Sequence, residues 1–316
     1  MARLTDRDRD RLRSLVSGDY VAPAKDAFDI QTADLYGGIT GFPLPVQHFE
    51  LLPGLTLART YAHLIAPFVL AFAPPPKPGA AHPGPWAALS EKGLTILVEM
   101  KLDAGAASIG FDRVNTLWFV MALLRLRLAL PLQMLVLTDR PLQDVPVGGD
   151  AVNLIPVELN LSQLLTAPPR IPAMADLEWI RDNLIAASEL MKEPVVNRAL
   201  QTLDEAVGIR NPGAGIVIAW AAIETLIRPG TRSITDRVSR ALAAHLHPAG
   251  PARDRAFGEI VQSYEARGGA VHAGAPPEAA QFHNAFRLAR AALMRTMEEG
   301  RLPDVEQLLG RWKSKT

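Results

Sequence analysis

Ile216-Val-Ile-Ala-Trp-Ala-Ala-Ile-Glu-Thr-Leu-Ile227 decides how the second half of this chain is read. Glu224 and Thr225 alone interrupt an otherwise apolar run. A helix that is apolar nearly all round has no face for water, so it belongs at the centre of a bundle. Asn211-Pro-Gly213 punctuates the chain just ahead of it.

Helical patterns surround that segment. Between Asp176 and Lys192, apolar Leu177, Ile180, Leu184, Ile185 and Leu190 recur at helical spacing. Pro194 opens a further helix ending near Gly208, because proline suits the first helical position. Ser233-Ile-Thr-Asp236 caps a helix running to His245, and another covers roughly 252 to 266. Pro277 begins a long helix through Met297, and Pro303 a short terminal one. Residues 171–316 therefore read as an all-α bundle, with the boundary in the stretch from Pro168-Pro169 to Pro172.

Residues 1–170 have a different texture. Thr5 to Val16 reads as a short charged helix, and residues 17 to 53 are cut up by glycine and proline. Leu55 to Ala73, broken at Pro67, reads as strands, and the proline-rich stretch Pro74 to Pro85 as a loop. Leu94 to Leu102, Gln133 to Thr138 and Leu154 to Leu159 are strand candidates, and Phe111 to Ala129 a buried helix with Arg125 and Arg127 on a solvated edge. The expected class is α+β overall: a mixed α/β domain over 1–170, then the helical bundle.

Composition narrows the chemistry. The chain has 316 residues, 48% of them hydrophobic, and 33 basic against 33 acidic side chains. Neither half departs from charge balance by more than one, so nucleic-acid binding would need a local patch rather than broad phosphate neutralisation. With no cysteine, thiol nucleophiles, disulfides and zinc–thiolate sites are excluded. The charged residues 1–13 lack the apolar core of a secretory signal. The longest apolar run, Leu117 to Leu137, holds Arg125, Arg127 and Pro131, which a membrane helix tolerates poorly. We expect a soluble, cytoplasmic protein without membrane association.

Arg267-Gly-Gly-Ala-Val-His272 carries the chemistry. Metal-free RNA cleavage needs a proton acceptor for the 2′-hydroxyl, a cation for the phosphorane and a proton for the leaving 5′-oxygen. An imidazole titrating near neutrality and a guanidinium fork are the residue types that supply these roles. Residues five apart in an unbroken helix stand about 140° apart around its axis. Gly268-Gly269 therefore reads as a helix break that lets both side chains meet. Glu224, alone among apolar neighbours, should pair with Arg237, Arg240 or Arg267, and through Arg267 it could orient the site. Tyr264 reads as a core or interface aromatic. Arg237 and Arg240 share a helical face that suits RNA phosphates or ordinary ion pairs.

These residues resemble the HEPN family of small all-α modules, in particular its ApeA-like group. Arg267 and His272 match the family's R-x(4–6)-H motif. Trp220-Ala-Ala-Ile-Glu224-Thr-Leu226 resembles its first core helix, and Ser233 to Leu242 the helix that follows. Tyr264-Glu-Ala-Arg267 resembles its Y-x-x-R lead-in. The resemblance spans about residues 210–298 and departs at Gly268, where the family is often polar, and at Ala273, where it often has glycine.

The resemblance implies a metal-independent, cofactor-free endoribonuclease with Arg267 and His272 as the catalytic pair, Glu224 and Tyr264 supporting, and Arg237 and Arg240 on RNA such as tRNA or mRNA. It implies a homodimer formed through the bundle, and an anti-phage defence or toxin effector whose N-terminal domain binds a trigger. The rival reading is a non-catalytic dimerisation or nucleotide- or RNA-binding module in a larger complex. His245-x-His247 lacks the spacing and carboxylates of a metal site, and Gly213-Ala-Gly215 lacks the Lys-Ser/Thr of a phosphate loop, so both read as structural.

Overall fold

A computed structural model describes residues 30–64, 69–71, 73–74, 76–77, 86–88, 94–144, 154–158, 171–209, 211–230, 232–272 and 278–313. The Thr5–Val16 helix and most of the proline-rich loop lie outside the described residues. The chain is α+β. It divides into two compact units, one drawn from Met1–Leu117, Leu132–Leu159 and Pro169–Met174, the other from Trp118–Pro131, Asn160–Pro168 and Ala175–Thr316.

The first unit holds an antiparallel sheet. Its strands are β1 (Leu35–Thr40), β2 (His48–Leu52), β3 (Leu55–Leu64), β6 (Leu94–Leu102), β7 (Gln133–Thr138) and β8 (Leu154–Pro156), in the order β2-β3-β6-β1-β7-β8. A separate pair joins β4 (Val69–Ala71) to β5 (Trp86–Ala88). The expected strands at 94–102 and 133–138 appear with those bounds.

β1 and β2 arise where only punctuation was expected. In β1 every residue is buried, Gly37 and Gly38 included. A Cβ at Gly37 would stand 2.7 Å from Met134 Sδ, and one at Gly38 2.9 Å from Ile96 Cδ1. These glycines therefore mark crowding in a central strand rather than a turn.

Glu99 of β6 is buried and accepts the Leu142 N–H, holding the short 3₁₀ turn Leu142–Asp144. Burial pushes its carboxyl up, against the lowering effect of that hydrogen bond. Arg113 opens helix α1 (Arg113–Leu128) and donates to the carbonyls of Ile30, Ala33, Leu102, Asp103 and Ala104.

The second unit is helical. From Trp118 onward α1 belongs to it, with α2 (Met174–Leu190), α3 (Pro194–Ala206), α4 (Pro212–Ile227), α5 (Ile234–Leu246), α6 (Pro251–His272), α7 (Ala279–Glu299) and α8 (Val305–Lys313). α4 is the central helix, with Ile216, Ala219, Trp220, Ile223, Leu226 and Ile227 all buried. Its N-terminal amides are already occupied, because the Asn211 side chain accepts from Gly213 and Ala214 N–H. Gly215 lies against the Phe282 ring of α7.

Two expectations fail in this unit. Arg125 is not a solvated edge: it is buried and pairs with Asp204 of α3 at 2.8 Å. Arg127 pairs with Asp176 of α2 and stacks on Trp179. A helix that enters a bundle needs carboxylates for its buried cations, and α2 and α3 supply them. Ser233 makes no side-chain capping bond, because it sits in a left-handed conformation with φ of 47°.

α6 brings a further correction. It continues unbroken from Pro251 to His272, through Gly268-Gly269. Each interior glycine costs about 1 kcal/mol relative to alanine, a weak penalty that packing overrides. Ile260 and Ser263, buried one to two turns earlier, anchor the helix, and adding a turn to an anchored helix is easier than nucleating one.

Candidate functional site

Glu224 on α4 and Tyr264 and Arg267 on α6 meet in one cluster. The Tyr264 hydroxyl donates to Glu224 Oε1 at 2.9 Å. Arg267 Nη2 stands 3.4 Å from Glu224 Oε2. The carboxylate therefore bridges a phenol and a guanidinium. Among the candidates Arg237, Arg240 and Arg267, it is Arg267 that partners Glu224.

The frame behind the cluster is closely packed. Trp220, one turn before Glu224, is fully buried, and its indole N–H donates to the Ser263 carbonyl at 3.2 Å. The Trp220 and Tyr264 rings meet edge to face with centroids 4.8 Å apart. The Arg267 guanidinium lies 5.3 Å from the Tyr264 ring centroid, as positions three apart on a helix allow. Burial, then the hydrogen bond to Glu224, pushes the Tyr264 phenol above its ordinary value, so it remains a donor through neutral pH.

Arg267 is not saturated. Its side chain is 31% exposed, and its Nε finds no hydrogen-bond partner among the described residues. The unpartnered Nε is itself buried, so it is the part-exposed end of the guanidinium, aimed by a carboxylate and an aromatic ring, that has the makings of a phosphate fork.

His272 is the last residue of α6, and its side chain lies outside the described residues. On the continuous helix its position is about 140° around the axis from Arg267, so the two do not share a face within one chain.

Comparison with protein-family models, with curated proteins and with solved structures found no match.

The remaining candidates have structural partners. Arg237 donates to the Pro229 carbonyl and pairs with Glu306 of α8. Arg240 pairs with Asp236 at 2.7 Å and stands over the rings of Phe257 and Trp312. His245 is buried, its Nε2 3.2 Å from the Ala292 carbonyl and 3.1 Å from Thr296 Oγ1. Among the described residues no group of His, Asp and Glu could hold a metal ion, and no helix is long and apolar enough to cross a membrane.

Sequence reasoning missed Arg253, which is 1% exposed on the first turn of α6. An arginine two residues after a helix-opening proline carries no signal of burial; in the fold it meets the Arg311 carbonyl and the Trp312 ring of α8.

Proposed function

We propose that this protein is a HEPN-type, metal-independent endoribonuclease acting as a homodimer, an anti-phage defence or toxin effector. The observation that carries the reading is the Arg267 guanidinium, oriented by Glu224 and Tyr264 yet still part-exposed. His272 acts as general acid or base on the RNA 2′-hydroxyl and the leaving 5′-oxygen, while Arg267 stabilises the phosphorane. Products carry a 2′,3′-cyclic phosphate and a 5′-hydroxyl, because the nucleophile is the RNA's own 2′-oxygen.

The continuity of α6 shapes this proposal. With Arg267 and position 272 on different sides of one helix, the reading completes the pair with a second copy across a two-fold axis. The N-terminal unit is assigned to binding the trigger.

The test is incubation of the purified protein with tRNA and mRNA in EDTA. Cleavage should persist in EDTA, disappear in His272→Ala and fall at least a hundredfold in Arg267→Ala. Equal cleavage by the parent and His272→Ala removes the catalytic assignment. Toxicity on overexpression, lost in Arg267→Ala, extends the test to cells that supply the trigger.

The same continuous helix favours one rival, a non-catalytic RNA- or nucleotide-binding module. That reading predicts RNA binding that depends on Arg267, with no cleavage and no effect of His272→Ala.

A further inference from the structure

We propose that α8 is a displaceable cover over a single-stranded RNA-binding face formed by Arg237, Arg240 and Arg253 on α5 and α6. The identity of the ligand rests on the ribonuclease reading above; the cover rests on the contacts that follow.

Each of the three arginines meets α8 through groups that resemble parts of a nucleotide. Glu306 sets a carboxylate on Arg237, as a phosphate would. Trp312 lies under two guanidiniums, 5.1 Å from Arg240 and 4.7 Å from Arg253. An unpaired base stacks on arginine in the same way. The Phe257 ring of α6 packs against Trp312 with centroids 5.1 Å apart and also stands 5.1 Å from Arg240. It would remain as a stacking platform once α8 had left.

Arg253 is incompletely answered in the covered state. It is 1% exposed and uses Nη1 on the Arg311 carbonyl at 3.2 Å. Its Nε and Nη2 have no partner among the described residues. A buried guanidinium with two unanswered donors is poorly satisfied, and a phosphate presents the oxygens to answer both.

The cover is also weakly held. α8 has nine residues, below the roughly 12 to 15 at which an isolated helix becomes even marginally stable in water. Leu308 is its one buried residue among those described. Its other contacts include aromatic–guanidinium stacking, the Phe257–Trp312 ring contact, the Glu306 pair and the hydrogen bond from Arg253 to the Arg311 carbonyl. Such a segment belongs to the low-stability end of a fold, where local opening is frequent.

The experiment uses the full chain carrying His272→Ala, so that bound RNA is not consumed. Affinity for a fluorescein-labelled 20-nucleotide single-stranded RNA is measured by anisotropy in EDTA at several salt concentrations. Adding Glu306→Gln and Trp312→Ala should tighten binding at least tenfold. It should also steepen the salt dependence by roughly two units when all three arginines meet phosphates, Arg240 giving up its pair with Asp236, at about 0.7 per phosphate on a single strand. Arg240→Ala on top should cancel most of that gain.

Hydrogen exchange of the Val305–Lys313 amides, measured without the Glu306 and Trp312 changes, should accelerate when RNA saturates the protein. Unchanged affinity in a variant that melts normally overturns the cover, as does a gain that survives Arg240→Ala. Exchange in α8 that is unchanged or slowed by RNA overturns it too, and decides alone should the variant fail to fold. Binding that behaves as expected in a protein whose parent never cleaves RNA retains the cover and removes the ribonuclease. Cleavage with an indifferent α8 does the reverse.

Discussion

Tyr264 donates its hydroxyl to Glu224 Oε1 at 2.9 Å, and the other oxygen of that carboxylate faces Arg267. One side chain on α4 thus sets the direction of two on α6. Glu224→Gln keeps the shape and one acceptor but removes the charge that holds the guanidinium. We expect kcat/KM on single-stranded RNA to fall about tenfold, which is about 1.4 kcal/mol of transition-state stabilisation, with little change in Tm. Glu224→Leu should lose as much activity and also stability, about 1–3 kcal/mol, because the Tyr264 hydroxyl is then orphaned. Full activity in both variants would show that Arg267 needs no such guide.

Gly215 and Phe282 set the approach of α4 to α7. A methyl at Gly215 would stand 2.5 Å from two carbons of the Phe282 ring. Helix propensity favours alanine by about 1 kcal/mol, whereas overpacking a core typically costs about 1–3 kcal/mol. Gly215→Ala should therefore destabilise the protein, read as a lower urea midpoint. Phe282→Leu should restore part of the loss in the double variant. A more stable Gly215→Ala would mean that the ring moves aside freely.

Arg125 and Asp204 form an ion pair with side chains only 8% and 11% exposed. Removing one partner leaves a charge stranded in low dielectric, at a cost of about 3–5 kcal/mol. Arg125→Met should approach that figure. Arg125→Met with Asp204→Leu should recover much of it, since two apolar side chains leave no stranded charge. A double variant as unstable as the single would point to packing, not charge, as what the pair supplies.

His245 makes stability depend on pH. Burial pushes its imidazole below the ordinary value; of the charges that reach it, Glu299 favours protonation while Arg295 and Arg311 oppose it. Its folded pKa lies below the unfolded one, so in that window the unfolded chain binds the extra proton. The neutral ring's contribution is therefore complete above about pH 6.5 and declines as pH falls below it. Glu99, whose carboxyl is raised, acts in the opposite direction over the acidic range, so the comparison must be with a variant. The urea midpoint of the parent minus that of His245→Gln should shrink between pH 8 and pH 5. A constant difference would remove His245 as the source.

The helical half was largely legible because its signals are local. Ile216–Ile227 announced a buried helix by having no polar face, and the prolines at 194 and 212 sit where helices start. β1 was not legible, since LYGGIT looks like a turn until Met134 and Ile96 crowd its glycines. Arg125 was misread for the same reason, its acid lying 79 residues away in sequence. At the candidate site, Arg267 and Glu224 were singled out from residue type and neighbours, and Tyr264 through the resemblance to the Y-x-x-R lead-in. That Glu224 would choose Arg267 over Arg237 and Arg240 was not written in any local pattern.

Residue order alone was enough to establish an α+β chain with a helical second half, a chemistry without thiols, and Arg267 and His272 as the pair to test. Periodicity, capping residues and composition act over a few neighbours, so they can be read without coordinates. The tertiary structure decided whether two glycines break α6, which arginine Glu224 engages, and that α8 lies over Arg237, Arg240 and Arg253. Those outcomes depend on packing between segments tens of residues apart, where a weak local preference yields to burial and to the need to answer every buried charge.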